Sequence, residues 1–356
     1  MPTAPTEPTA ETLPIRWPAE WEPQQAVWMS WPLRDELWTS ELAALQENFA
    51  ALAALISRFA PVHINASADA HSLIAGQLRA VGADPDRWQL FSHPTNDVWC
   101  RDHGPIFVRQ ADGGLAVTDW QFNAWGGKFP PWNLDNQIPQ RIAAALDLPR
   151  LSSDLILEGG AIEGNGEGLL LTTEAVLLNH NRNPDWSQAD IEAELRRLLG
   201  VRDVFWLGHG LEGDDTDGHV DDMVRFIQRD AVIAVTEPDE RDPNHRILRE
   251  NHERLQDLRT GAGSRVEVVE LPLPAPVTPD ATDWRLGRLP ASHANFLICN
   301  DAVLVPTFDQ HRADDRALGI VRECFPGKQV IGFDARQLLA EGGAIHCLTQ
   351  QQPTAG

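Results

Sequence analysis

Four stretches of the chain carry residues whose types and spacing could do chemistry. Cys347 follows Glu341-Gly342-Gly343-Ala344-Ile345-His346 and precedes Leu348-Thr349-Gln350-Gln351. A glycine pair lets backbone approach a ligand closely, and a cysteine after such a turn reads as a nucleophile; the other reading is a small buried hydrophobe. Asn96-Asp97-Val98-Trp99-Cys100-Arg101-Asp102-His103-Gly104-Pro105 packs two carboxylates, an arginine and an indole into one loop, or is a turn in which Asp97 or Asp102 caps backbone. Glu158-Gly159-Gly160 is a third stretch. The fourth, Gly208 to Asp222, is dense in aspartate and histidine, with His219 and Asp221 two apart and so on one side of an extended segment. Such a loop also suits a metal site or a solvated acidic turn. Its spacing, however, fits neither an EF-hand nor HExxH.

A Cys–His pair supplies a nucleophile and an acid/base. The surrounding carboxylates select the substrate class. Acyl transfer needs donors for an oxyanion, whereas a site lined with Asp and Glu needs a cation. A planar guanidinium is matched by carboxylates in bidentate fashion. Its charge also favours the thiolate, which a free pKa of about 8.5 would leave mostly protonated.

The elements that must position these groups recur. Ala26 to Trp31 reads as a strand, Glu41 to Phe59 as a helix with Leu42, Leu45, Phe49, Leu52, Leu55 and Ile56 on one stripe, and Val62 to Asn65 as a strand. A helix over Asp69 to Val81 and a strand over Trp88 to Phe91 follow. Then a unit of hairpin, helix and strand returns at a spacing of roughly 60 residues. The first has Ile106–Val108 and Leu115–Val117, a helix Gln137 to Leu146 and a strand Asp154–Leu157. The second has Gly168–Leu171 and Val176–Leu178, Gln188 to Leu199 and Val204–Leu207. The third has Arg225–Ile227 and Val232–Val235, His245 to Leu258 and Val266–Val269. The fourth has Phe296–Ile298 and Val303–Val305, Arg312 to Cys324 and Gln329–Ile331. The N-terminal part supplies a degenerate fifth copy. Glu158-Gly159-Gly160-Ala161-Ile162 recurs as Glu341-Gly342-Gly343-Ala344-Ile345, each after the third strand of its unit. Radial repetition closes a ring and removes sheet edges. The expected fold is therefore an α/β propeller, with loops after the inner strands converging on its axis.

Composition sets further bounds. The chain has 356 residues and 42% apolar content, and it lacks an apolar run long enough to span a bilayer. Residues 1–14, MPTAPTEPTAETLP, resemble no signal peptide and read as a disordered tail. Residues 15–356 read as a single domain, and a cytoplasmic location is expected. Cys100, Cys299, Cys324 and Cys347 fit neither a disulfide framework nor a CxxC metal site, so all four are expected as thiols. A net charge of -23 argues against nucleic acid and anionic membranes as partners.

Trp17-Pro18-Ala19-Glu20-Trp21-Glu22-Pro23-Gln24, Trp99 to Pro105, Glu158-Gly159-Gly160, Gly218-His219-Val220-Asp221-Asp222 and Gly342 to Pro353 together resemble the agmatine deiminase family. That family is grouped with the bacterial-type peptidylarginine deiminases in the guanidine-modifying (pentein) superfamily. The resemblance covers nearly the whole chain from about Trp17 and implies a five-bladed ββαβ propeller. It implies that Cys347 attacks the guanidinium carbon, that Asp102 and Asp221 hold its nitrogens, and that His219 is the acid and then the base. Glu158 would support substrate or His219, Trp99 would stack on the substrate, and Asp97 and Asp215 would border it, Asp215 meeting the distal amine. The products would be N-carbamoylputrescine and ammonia, formed without metal or organic cofactor, in a homodimer serving putrescine synthesis. Departures from the family pattern lie in the Trp125 to Trp132 loop, at Ala344 and at His293. None falls on a residue given a chemical role. If the substrate were arginine instead, Arg101 and Arg225 are the candidates to meet its carboxylate.

Overall fold

A computed structural model of the chain describes residues 15–38, 40–279 and 287–356, so the expected N-terminal tail lies outside the described residues. Its strands, in chain order, are β1 Gln24–Ser30, β2 Val62–Ala66, β3 Trp88–Ser92, β4 Ile106–Arg109, β5 Leu115–Gln121, β6 Arg150–Ile156, β7 Ile162–Gly164 and β8 Leu169–Thr173. There follow β9 Asp203–Leu207, β10 Val224–Gln228, β11 Ala231–Thr236, β12 Glu267–Pro272, β13 Leu297–Cys299, β14 Ala302–Thr307, β15 Gln329–Asp334 and β16 Gln350–Pro353.

The strands form five separate sheets. Four are three-stranded with one plan: the first strand runs antiparallel to the second, and the third parallel to it. Leu171 thus faces Glu163 on one side and Phe205 on the other. A helix lies between the second and third strands of each: α5 Ile138–Leu146, α7 Gln188–Leu199, α8 Pro243–Leu255 and α9 His311–Cys324. Local chemistry sets their ends. Ser187 and Asp190 form a capping box at the start of α7, and Gly200 closes it in the left-handed conformation. Asp242 caps α8, with Pro243 in the first turn where its missing N–H costs nothing.

First and second strands are almost wholly buried, while the third strands are mostly half-buried or exposed. The first strands therefore line the interior of a five-module propeller. The fifth sheet has the order β16-β1-β2-β3. Its first strand comes from the far end of the chain, with Val27 opposite Gln351. The degenerate N-terminal copy is thus completed by the C-terminal strand, and the ring closes where the two ends of the chain pair.

The second module differs from the sequence reading. Ile162–Gly164 is its first strand, Leu169–Thr173 its second, and Val176–Leu178 is no strand, because Glu174–Leu177 is a short helix (α6). The hairpin turn lies one strand earlier, where Gly166 and Gly168 take φ of +74° and +88°. The leucine run looked like the start of the hairpin, but it is the central strand, buried on both faces.

The loops also enter the axis at the opposite end from the one expected. Asp102 precedes β4, Glu158 precedes β7, His219 and Asp221 precede β10, Asn295 precedes β13 and Cys347 precedes β16. The connection into each first strand, not the one out of it, carries the chemistry.

Below this level the axis is filled by polar side chains. Arg225 is fully buried, with Nε donating to Glu163 at 3.1 Å, Nη2 to Glu20 at 2.8 Å and Nη1 to the carbonyls of Ala294 and Phe296. Arg101 donates to the side chains of Gln350 and Gln351 at 2.9 and 2.8 Å. Both arginines tie neighbouring modules together, which removes them as receptors for a substrate carboxylate. Among the described residues no helix is long and apolar enough to cross a membrane.

Candidate active site

Two carboxylates and an imidazole crowd round one glycine. A Cβ on Gly160 would lie 2.5 Å from His219 Nδ1, 2.9 Å from Asp102 Oδ1 and 3.1 Å from Asp221 Oδ2. Only hydrogen fits there, which is why a glycine pair follows Glu158. Gly160 N donates to Asp102 Oδ1 at 3.1 Å, and Trp125 Nε1 to Asp102 Oδ2 at 2.9 Å. Asp102 itself sits on the one-turn helix Cys100–His103 (α3).

His219 and Asp221 do not lie on an extended segment. Val220–Asp222 is a single 3-10 turn with His219 at its head. Asp214 organises the loop before it, its Oδ2 accepting from His219 N at 2.9 Å and its Oδ1 from Thr216 N at 2.8 Å. His219 Nδ1 lies 3.7 Å from Asp102 and Nε2 lies 3.9 Å from Glu158. These are ionic contacts rather than hydrogen bonds. Burial alone would lower the His219 pKa, but Asp102, Glu158 and Asp221 raise it to about 10. The ring therefore stays an imidazolium at neutral pH. Burial lifts Asp102 to about 6, with Asp221 and Glu158 adding to the rise and His219 opposing it. Glu158 stays below the usual carboxylate range despite complete burial, because Arg182 and His219 face it.

Cys347 is 7% exposed. Asn295 Nδ2 donates to its Sγ at 3.1 Å, and Asp221 Oδ2 lies 3.9 Å away. Burial, then Asp221, Asp222 and Asp102, push the thiol well above its ordinary pKa. Without a cation the site holds a protonated thiol beside a protonated imidazole. Burial raises the other cysteines too, Cys100 and Cys299 to about 12 and Cys324 to about 11, and all four are free thiols.

The thiol opens into a cavity of about 240 Å³. Asp97, Trp99, Asp102, Asp215 and Glu341 contribute to its wall, as do Trp125 and Phe129, and no described lining residue is basic. Trp99 lies against the Gly342-Gly343 turn, where a Cβ on Gly343 would meet its ring at 2.6 Å. The residues given catalytic or agmatine-binding roles lie together here, unlike Arg101 and Arg225: Asp97, Trp99, Asp102, Asp215 and Cys347 line the cavity, and Glu158, His219 and Asp221 stand behind it. Asp221, Asp222 and Cys347 are close enough to hold a metal ion. Nothing in their chemistry selects a metal over the cationic organic group that the aromatic walls also suit.

Sequence reasoning missed four contributors. His346 joins Asp221 to Glu20, its Nδ1 2.7 Å from Asp221 Oδ2 and its Nε2 2.8 Å from Glu20 Oε2. Asn295 stands two residues before β13 with no motif around it. Arg182 grips Glu158 at 2.6 Å. Trp125 reaches Asp102 from a left-handed turn, α4 (Ala124–Gly127), in which Ala124 and Trp125 take φ of +52° and +55°. Such a conformation is costly for a bulky residue and persists only when surrounding contacts enforce it. The departure in the Trp125 to Trp132 loop therefore does touch a residue given a chemical role. His293 does not, being buried against Asp314 at 2.8 Å, and the Ala344 methyl is packed in the core while its backbone hydrogen-bonds the Cys347 thiol.

Known proteins resemble this chain over nearly its full length. The model of the Porphyromonas-type peptidyl-arginine deiminase family matches residues 16–353. The agmatine deiminase of Pseudomonas aeruginosa (strain LESB58) is 38% identical over 360 residues, covering 95% of each chain. A structure of the Enterococcus faecalis agmatine deiminase superposes with a TM-score of 0.91 at 33% identity, over 99% of this chain and 100% of that one. A C. jejuni agmatine deiminase carrying a cysteine-to-serine change, with substrate bound, superposes with a TM-score of 0.85 at 30% identity, over 96% and 97%. The chain belongs to the Porphyromonas-type peptidyl-arginine deiminase family, and agmatine deiminases are among its relatives.

Proposed function

We propose that the protein is a hydrolase of C–N bonds in linear amidines that converts agmatine and water to N-carbamoylputrescine and ammonia. The observation that carries this reading is a buried thiol opening into a cavity whose described walls bear carboxylates and aromatic rings but no basic group. The full-length similarity to agmatine deiminases supports it.

Asp102 and Asp221 hold the guanidinium and orient its carbon toward Cys347. The charge of the substrate offsets the carboxylates that keep the thiol protonated, so the thiol releases its proton to solvent as the cation binds. The thiolate attacks the carbon, and His219 gives its proton to the departing ammonia. This leaves an S-alkylthiouronium. The now neutral His219 takes a proton from the attacking water, and collapse of the adduct releases the ureido product and the thiolate. Glu158 supports the charged form of His219, Trp99 stacks on the guanidinium, and Asp97 and Asp215 favour a cationic tail. No metal or organic cofactor enters these steps.

Arginine and peptidylarginine carry a carboxylate or a bulky chain at the tail. Arg101 and Arg225 are engaged in the core, which favours agmatine over arginine. We take residues 15–356 as one catalytic domain, acting as a cytoplasmic homodimer in putrescine synthesis. Light scattering of the purified protein tests the dimer. The decisive assay is ammonia release from agmatine, arginine and blocked arginine by the wild type and Cys347→Ala. Release from agmatine that depends on Cys347 is expected, and release retained in Cys347→Ala overturns the mechanism.

A further inference from the structure

Arg182 lies in the segment after α6, and its side chain is completely buried. Nε donates to Glu158 Oε1 at 2.6 Å, Nη1 to Asp217 Oδ2 at 2.9 Å and to Asn181 Oδ1 at 2.8 Å, and Nη2 to the Thr216 carbonyl at 3.0 Å. The backbone around it is clamped. Asn183 exchanges two hydrogen bonds of 2.9 Å with the backbone of Ile156, two residues before Glu158. The α4 turn packs on the other side, where a Cβ on Gly126 would lie 2.9 Å from Arg182 Nη1.

One planar fork therefore spans two parts of the site. Its Nε edge occupies one oxygen of Glu158, while the other, Oε2, has no hydrogen-bond partner among the described residues and faces His219 Nε2 at 3.9 Å. Its Nη edge holds Thr216, a cavity-wall residue, and Asp217, which Lys128 of the facing loop also grips.

We propose that Arg182 is a positioning residue: it keeps Glu158 an ionised carboxylate with one oxygen aimed at His219, and locks the Thr216–Asp217 rim to that pair. The proposal rests on the deiminase reading, in which His219 is the acid and base. A lone buried carboxylate would favour its neutral form, and an adjacent guanidinium reverses that preference. Glu158 faces Arg182 from the α6–α7 connection, His219 from the loop before β10 and Asp102 from α3. Asp221 and Asp222 stand beyond His219, and Asp217 shares the guanidinium. Removing the cation raises the proton affinity of every group in this set, so the direction of the effect is fixed.

The test uses the full chain as wild type, Arg182→Lys, Arg182→Gln, Glu158→Gln and the Arg182→Gln/Glu158→Gln double variant. Carbon-13 NMR of labelled glutamate, assigned with Glu158→Gln, follows the Glu158 carboxyl without any turnover. Its midpoint should rise by about one unit in Arg182→Gln and less in Arg182→Lys. In the agmatine assay kcat should fall about tenfold or more, with the acidic limb of the profile moving up in step. In the Glu158→Gln background, Arg182→Gln should cost kcat much less than it does alone, since only its hold on the Thr216–Asp217 rim remains to be lost. A Glu158 midpoint unchanged in a folded Arg182 variant, or additive losses in the double variant, overturns the proposal. If Arg182→Gln does not fold, Arg182→Lys decides by the same midpoint. Wild type that releases no ammonia from agmatine overturns the proposed activity, and the NMR midpoint still decides the role of Arg182.

Discussion

The Asn295 carboxamide touches Cys347 at both ends: Nδ2 donates to Sγ at 3.1 Å, while Oδ1 accepts the backbone N–H of Cys347 at 3.3 Å and of His346 at 3.0 Å. Its Nδ2 also reaches Asp222 Oδ1 at 2.9 Å. One side chain from the fourth module thus sets the height of the nucleophile above the carboxylates. Asn295→Ala should lower kcat about tenfold to hundredfold by removing a hydrogen bond to a developing thiolate. Asn295→Asp should cost more, because it adds a fourth carboxylate beside Sγ. Steady-state ammonia release alongside thermal unfolding checks both. An Asn295→Ala enzyme with wild-type kcat would show that the contact is only structural.

His219 owes its charge to its neighbours, so the alkaline limb of kcat/KM reports on them. With the ring at about 10 in the wild type, activity should hold through neutral pH and fall as the imidazolium is lost. Glu158→Gln removes a carboxylate that favours the protonated ring. The limb should move to lower pH by about one unit. A limb that stays in place would mean that another group governs it.

The thiol is protonated by the same carboxylates that attract a guanidinium, which predicts its reactivity. Iodoacetamide, being neutral, should alkylate Cys347 slowly at pH 7.5 despite the cavity. A cationic haloacetamidine should react much faster, because its charge gathers in the site and offsets Asp102, Asp221 and Asp222. Agmatine should protect against it. Mass spectrometry of the labelled protein gives the site and the rate. Equal rates for the two reagents would remove the electrostatic account of thiolate formation.

Asp97 illustrates a stability cost at the site. Burial raises it to about 6, with Asp102 and Glu341 adding to the rise. A carboxyl whose folded pKa exceeds its unfolded value destabilises the fold once both states are ionised, and is neutral when both are protonated. Asp97→Asn should therefore raise Tm by roughly 2–4 °C at pH 8 and leave it unchanged near pH 3, below both values. KM for agmatine should rise at the same time, since a wall carboxylate is lost. Calorimetry at the two pH values and an agmatine titration test the pair of effects. A Tm gain of equal size at both pH values would point to packing rather than charge.

Much of this was legible in the chain itself. The repeat of strand, strand, helix, strand came from hydrophobic periodicity, which a buried sheet imposes on every module. Cys347, His219, Asp102, Asp221 and Glu158 stood in glycine-rich turns, because close approach at the axis leaves no room for a Cβ at Gly160 or Gly343. Tertiary structure decided the rest. β16 is made of Gln350, Gln351, Gln352 and Pro353, which carry no hydrophobic signal, yet it is buried because Arg101 and Trp28 satisfy its amides. The hairpin of the second module was misplaced because a strand buried on both faces has no period to read. Asn295, His346, Arg182 and Trp125 act through partners 52 to 125 residues away for the first two, and 24 and 23 for the last two. Local pattern records propensity and burial. Which polar side chain faces which across the axis is settled only when five modules close on one another, and there the cost of an unpaired buried charge selects the partners.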